Sequence, residues 1–297
     1  MRTLMLFAFF IALAPSSSDS GPEVRVVRAN GASLAYMSLG RGAPVVLVHG
    51  SLADYRIWSP QVSALSRRNR VIAYSRRFHW PNPSRTASDP DYSNQLHAAD
   101  LAALIQKLRL GRVHLVGHSA GGAIAVQMAL EHPKLVRSLT LIEPGIYSIL
   151  PQTDEGRSLL AEIARASAEA RDALARGEDA AAIRLLMDLV FRPRTFAELA
   201  PDIRQALLDN ASSLRAQFAS AEPPPAISCD DVARLRMPVL LLEGEKTASE
   251  FRLINNELER CLRVRERVRI PSAGHGLTFE HPALVNATLL RFLSRKH

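Results

Sequence analysis

Short, largely apolar runs recur along this chain, each with the length and composition of a strand buried on both faces. Residues 45–48 (Val-Val-Leu-Val), 71–74 (Val-Ile-Ala-Tyr), 113–116 (Val-His-Leu-Val), 139–142 (Leu-Thr-Leu-Ile) and 238–242 (Pro-Val-Leu-Leu-Leu) form the series, and 264–270 adds a further strand. Between them the apolar positions fall three and four apart, which predicts helices over 58–67, 94–108, 120–131, 249–262 and 282–294. In the second of these, Leu101, Leu104 and Ile105 share one face. Residues 24–28 and 32–39 alternate instead, and the turn dipeptide Asn30-Gly31 between them predicts an antiparallel hairpin. Strands alternating with helices give an α/β fold with a mostly parallel sheet.

The alternation breaks once. Residues 147–230 are rich in Ala, Leu, Arg and Glu and interrupted at Gly177, Pro193 and Pro201, which predicts several short amphipathic helices. The chain is therefore divided into a core of residues 21–146 and 231–297 and a helical insert of 147–230. The insert reads either as a structural appendage or as a cap over the site.

Composition narrows the function class. At 297 residues, 47% hydrophobic and 22% charged, the chain has enough apolar material for one sizeable core with an inserted subdomain. Of its 37 Lys and Arg four are Lys, leaving 33 Arg, and they are scattered rather than gathered into a stripe. The formal charge of +8 thus reads as solvated surface, and the expected partner is a small-molecule substrate rather than nucleic acid.

Residues 1–20 carry an early charge at Arg2, an apolar run over 4–14 and a small-x-small end at Ala12-Leu13-Ala14. This resembles a secretory signal peptide and predicts an exported protein with no stable membrane insertion after processing; an N-terminal anchor is the alternative. Cys229 and Cys261 permit a single disulfide in such a protein, and neither has a His or Cys at metal-ligand spacing.

The chemistry gathers at Gly117-His118-Ser119-Ala120-Gly121, between the 113–116 strand and the 120–131 helix. A strand, a sharp turn and a helix in that order make this a nucleophile elbow, with Ser119 on a strained turn and glycines where strand and helix must approach closely. A serine hydroxyl needs an adjacent base. His275, in Ser272-Ala273-Gly274-His275-Gly276 after the last strand, is the best placed of nine histidines. His281, His114 and His132 read as structural, and His118 as a packing residue facing away from the serine.

With the elbow in mid-chain and His275 near the end, the chain resembles the α/β-hydrolase superfamily from about Val24 onward. That resemblance implies a nucleophile, an acid and a histidine in this chain order, with no cofactor or metal. Most members place the acid in a Gly-x-x-Asp turn after the strand that here ends at Leu242, but this chain reads Gly244-Glu245-Lys246-Thr247. A subset, including haloalkane dehalogenases and zearalenone-lactone hydrolases, places it one strand earlier, where this chain has Leu141-Ile142-Glu143-Pro144. Glu143 is accordingly the expected acid, because an unpaired glutamate at the end of a buried strand is costly. Glu245 and Glu250 are the alternatives.

His49-Gly50-Ser51 resembles the family's His-Gly oxyanion motif and implies backbone donors at Ser51 and Ala120, with Leu52 as an alternative. Arg76 and Arg77, at another strand's end, suit either a substrate carboxylate or a structural ion pair. Trp58, Phe78 and Trp80 are expected to line an apolar pocket. Together these residues predict a serine hydrolase acting on a carboxylic ester or lactone, with amide or carbon-carbon bond cleavage, or ligand binding without catalysis, as alternatives.

Overall fold

The computed structural model describes residues 23–295 apart from 91, 193, 221–225 and 264; the N-terminal segment read as a signal peptide lies outside them. Eight strands form one sheet: β1 (Val24–Ala29), β2 (Ala32–Leu39), β3 (Ala43–Val48), β4 (Asn69–Tyr74), β5 (Val113–His118), β6 (Val136–Ile142), β7 (Val239–Gly244) and β8 (Arg265–Ile270). Their order is β1-β2-β4-β3-β5-β6-β7-β8. The first two pairings, β1 with β2 and β2 with β4, are antiparallel and all later ones parallel. The hairpin turns at Asn30-Gly31, both at positive φ, as the dipeptide predicts.

The apolar runs divide by residue parity between two layers, as strand geometry requires. Val46, Val48, Leu115, Leu139 and Leu241 face α2 (Asn94–Lys107), α3 (Ala120–Glu131), α8 (Cys229–Ala233) and α9 (Ser249–Cys261). Val45, Leu47, Val116, Leu240 and Leu242 face α1 (Ser59–Leu65) and α11 (Pro282–Leu293). The predicted helix at 58–67 begins with a 3-10 turn, Tyr55–Trp58, closed by the Asp54 side chain on the Arg56 N–H. Cys229 and Cys261 form a disulfide joining α8 to α9.

The insert comprises α4 (Asp154–Ala175), α5 (Asp179–Val190), α6 (Pro201–Asp209) and α7 (Ala211–Phe218). It has a small core of its own around Ala170, Ile183, Leu207 and Leu214. Leu52, from the loop after β3, reaches into that core with its backbone at φ +53°. Among the described residues no helix is long and apolar enough to cross a membrane.

Candidate active site

β5 leads directly into Ser119, which sits at φ +54° and ψ −124°, a conformation that L residues rarely adopt. Its N–H still donates to the Ile142 carbonyl of β6, and its own carbonyl accepts from Gly122 and Gly145, so the strained turn is tied on both sides. A side chain on Gly117 would strike the Gly121 carbonyl, and one on Gly121 would strike the Val48 carbonyl of β3. The glycines flanking the elbow are there for close approach, as the sequence predicts.

The parallel register of β5 and β6 pairs His118 with Ile142, which carries Glu143 to the level of Ser119 one strand away. Glu143 also has positive φ, +43°, and its carboxylate is wholly buried. Three donors converge on it. The Gly244 N–H bonds Oε1 at 2.7 Å, while the Thr247 hydroxyl at 2.6 Å and His275 Nδ1 at 2.8 Å share Oε2. His275 arrives on the loop after β8, which folds back over β7 through bonds from Glu245 N to the Ile270 carbonyl and Lys246 N to the Ala273 carbonyl. Phe251 of α9 stacks on the imidazole, ring centroids 3.9 Å apart and planes 17° from parallel.

Burial acts on this pair in opposite directions, because it disfavours whichever form is charged. It pushes Glu143 up and His275 down. The bonds from Thr247 and Gly244 oppose the rise at Glu143 by favouring the carboxylate. The alternatives for the acid are engaged elsewhere. Glu245 accepts from the Ser272 N–H, and Glu250 is buried against Arg192.

His118 does not face away from the site. It lines the same cavity as Ser119 and His275, and its Nε2 donates to the His275 carbonyl at 3.0 Å. The turn at positive φ lets strand alternation end at His118, whose ring lies 4.7 Å from that of His275. Burial lowers the His118 pKa to about 3, which keeps the ring neutral.

On the other side of Ser119, the wholly buried His49 fixes the β3 loop. Its Nδ1–H donates to the Gly50 carbonyl, and its Nε2 accepts from the Arg76 N–H. The Arg76 guanidinium donates to the same Gly50 carbonyl at 2.8 Å. In a trans peptide the N–H lies opposite the C=O, so two donors on Gly50 turn the Ser51 N–H away from them. Ala120 is the first residue of α3, where an N–H has no partner within the helix.

Ser51, Ser119, Ala120, His118 and His275 line a cavity of about 80 Å³, walled on the insert side by Met187, Val190, Phe191 and Leu207. A second cavity, about 390 Å³, shares Ala53, Ile57 and Leu207 with the first. A third, about 160 Å³, shares Ser51, Ala120 and Tyr147 and is bordered by Arg76. Among the described residues no group of three or more His, Cys, Asp or Glu is arranged to hold a metal ion.

The aromatic pocket residues fall elsewhere. Trp58 is completely buried beneath α1, because the 3-10 turn and Pro60 direct it into the sheet's second layer. Phe78, at φ +68°, borders a separate cavity beside Gly31 and Asn82. Trp80 packs against Tyr55 and carries Arg56 on its ring face. Arg77 forms a buried bidentate pair with Asp100, leaving Arg76 as the cation at the site.

Residues 45–288, the stretch that contains all of this geometry, match the model of the alpha/beta hydrolase family. The chain belongs to that family. The hydrolase is 29% identical over 294 residues to the dihydrolipoyllysine-residue acetyltransferase component of an acetoin cleaving system from Pseudomonas putida, covering 98% of this chain and 74% of that protein. The first curated relatives are 31% identical, and the match spans 38% of their length. In structure it resembles carboxylesterase CesB from Bacillus subtilis, with TM-score 0.73, 20% identity and 93% of each chain covered. It also resembles Est816, an N-acyl homoserine lactone degrading enzyme, with TM-score 0.73, 25% identity and coverage of 90% and 100%.

Proposed function

We propose that this hydrolase cleaves a carboxylic ester or lactone through an acyl-enzyme. The observation that carries the reading is the 2.8 Å bond from His275 Nδ1 to a buried glutamate beside a serine held at positive φ. With Nδ1–H committed to Glu143, Nε2 is the free lone pair that takes the Ser119 hydroxyl proton as Oγ attacks the carbonyl carbon. The oxygen that gains charge meets the N–H groups of Ser51 and Ala120. Collapse breaks the bond to the alcohol oxygen, which leaves with the proton from Nε2. Water then attacks the acyl-enzyme carbonyl, gives its proton to Nε2, and Ser119 departs with that proton restored.

The apolar wall from α5 and α6 makes the insert a cap that shields this sequence from bulk water, and the roughly fivefold larger neighbouring cavity suits an apolar arm of the substrate. The likeness to a lactone-degrading enzyme at 25% identity supports the lactone part of this reading. The disulfide supports an exported location, since such bonds persist in oxidising compartments. A fluorophosphonate probe should label Ser119, and 4-nitrophenyl esters should be hydrolysed by the wild-type protein but not by Ser119→Ala. Folded wild-type protein that is neither labelled nor active on esters or lactones overturns the reading.

A further inference from the structure

Arg76 is a buried cation without a counter-charge among the described residues. Its side chain is 1% exposed, yet among the described residues no carboxylate pairs with it. Asp100, which closes off the adjacent Arg77, gives both oxygens to that residue. The surroundings of Arg76 are neutral instead. One guanidinium nitrogen donates to the Gly50 carbonyl and the other to the Tyr92 hydroxyl at 2.9 Å, while Nε has no hydrogen-bond partner among the described residues. A guanidinium offers five N–H groups, so these bonds leave most of its capacity unused. The nearby rings of His49, His79 and His97 are all held neutral, by burial first and by Arg76 itself second.

Holding one carbonyl does not require a full charge, and His49 already does so. A buried, unpaired guanidinium is costly to maintain unless an anion compensates it for part of the working cycle. Space for that anion lies alongside. The cavity bordered by Arg76 is about 160 Å³, against the roughly 10–15 Å³ that one water needs. Its wall includes Tyr92, Asn94, Gln217 and Ser220, and it meets the cavity of Ser119 at Ser51, Ala120 and Tyr147.

We infer that this cavity is an anion subsite in which Arg76 receives a carboxylate carried by the substrate, a few bonds from the scissile carbonyl. The inference rests on the ester or lactone reading for its substrate class but on the unpaired cation and its cavity for the subsite. Charge-assisted bonds to a carboxylate are shorter and stronger than neutral ones, which makes the preference measurable.

The test compares mono-4-nitrophenyl glutarate with its neutral methyl ester. Wild-type kcat/KM should favour the carboxylate by about 10- to 100-fold. Arg76→Gln should bring that ratio close to one and Arg76→Lys should keep part of it. Glutarate should also raise the melting temperature of the wild-type protein where glutaramide does not, and it should lose this effect in Arg76→Gln. A wild-type ratio at or below one overturns the subsite, and so does an Arg76→Gln variant that slows both esters equally, which would leave Arg76 as a brace for Gly50. If Arg76→Gln does not fold, the wild-type ratio and the glutarate shift decide alone. Neutral ester turnover by Ser119 without a carboxylate preference sinks the subsite and spares the hydrolase reading. A glutarate shift in protein that cleaves neither ester does the reverse.

Discussion

At the scale of single residues, the informative position is Thr247. It stands where the resemblance to α/β-hydrolases implies an acid, in the Gly244-Glu245-Lys246-Thr247 turn. In the structure its hydroxyl donates to the carboxylate proposed to act in its place, 2.6 Å from Glu143 Oε2. Under the proposed mechanism, Glu143→Gln should lower kcat by about a thousandfold or more, because an amide can present a donor to Nδ1 and favour the wrong tautomer. Glu245→Gln, which alters only a bond to the Ser272 N–H, should change kcat little. Thr247→Val should act through Glu143. Losing a donor favours the protonated carboxyl, so the acid limb of the kcat/KM profile should move to higher pH, with a loss of about ten- to a hundredfold near that limb. A Thr247→Val profile that falls uniformly without shifting would mean that the hydroxyl only supports the loop.

What could be read from the sequence at this scale was whatever is fixed locally. The strained turn at Ser119 and its glycines were legible because an elbow is a contiguous pattern, and the partnered burial of Glu143 because a glutamate ending a buried strand demands a partner. Thr247, His118, Phe251 and the Arg76 cavity were not, since each depends on which side chains converge from separate strands and loops. Trp58 and Phe78 show the same limit from the other side. Their proximity in sequence to the strand ends suggested a pocket, but a 3-10 turn and a positive φ direct both elsewhere.

At the scale of elements, the strands and helices were read to within a few residues wherever period and burial agreed. The inner strands β3 to β7 are buried on both faces and so appear as apolar runs, whereas α8 escaped notice as a five-residue helix too short to show a period. That helix carries Cys229, and its bond to Cys261 staples it to the end of α9. The two cysteines are 32 residues apart, a loop for which closure entropy alone corresponds to about 3–4 kcal/mol. Reduction, or Cys229→Ala with Cys261→Ala, should therefore lower the urea unfolding midpoint clearly at neutral pH. Because Phe251 of α9 stacks on His275, ester turnover should also decline well below the global unfolding temperature in the reduced protein. Unfolding midpoints that coincide with and without reductant would show that the staple adds nothing to stability.

At the scale of the whole molecule, the buried histidines set the response to acid. Burial lowers the pKa of His49, His79, His97 and His118, the last to about 3. In the unfolded chain they take up protons below their ordinary value near 6.5, whereas the folded protein keeps them neutral. The unfolded state thus binds more protons as the pH falls, and stability, full above about pH 6.5, declines on the way down toward 3 by up to about 1.4 kcal/mol per pH unit for each such histidine. Urea midpoints at pH 7.5, 6 and 5 should fall in that order. Equal midpoints at 7.5 and 5 would mean that these rings are protonated in the folded state.

The position of Glu143 also bears on how this chain can change over time. Where an acid follows the seventh strand, any insertion after the sixth lies between it and the serine, and every alteration there risks the alignment of the pair. Here Ser119 and Glu143 belong to one strand-helix-strand unit, and the insert begins only after both are in place. The residues that wall the cavity can be lengthened, shortened or exchanged as a module, with the serine and glutamate left in register. Under the proposed mechanism, a lineage built this way can explore new substrates by trading one segment, and the segment to graft in the laboratory is α4 to α7, short of Cys229 and its bond to α9.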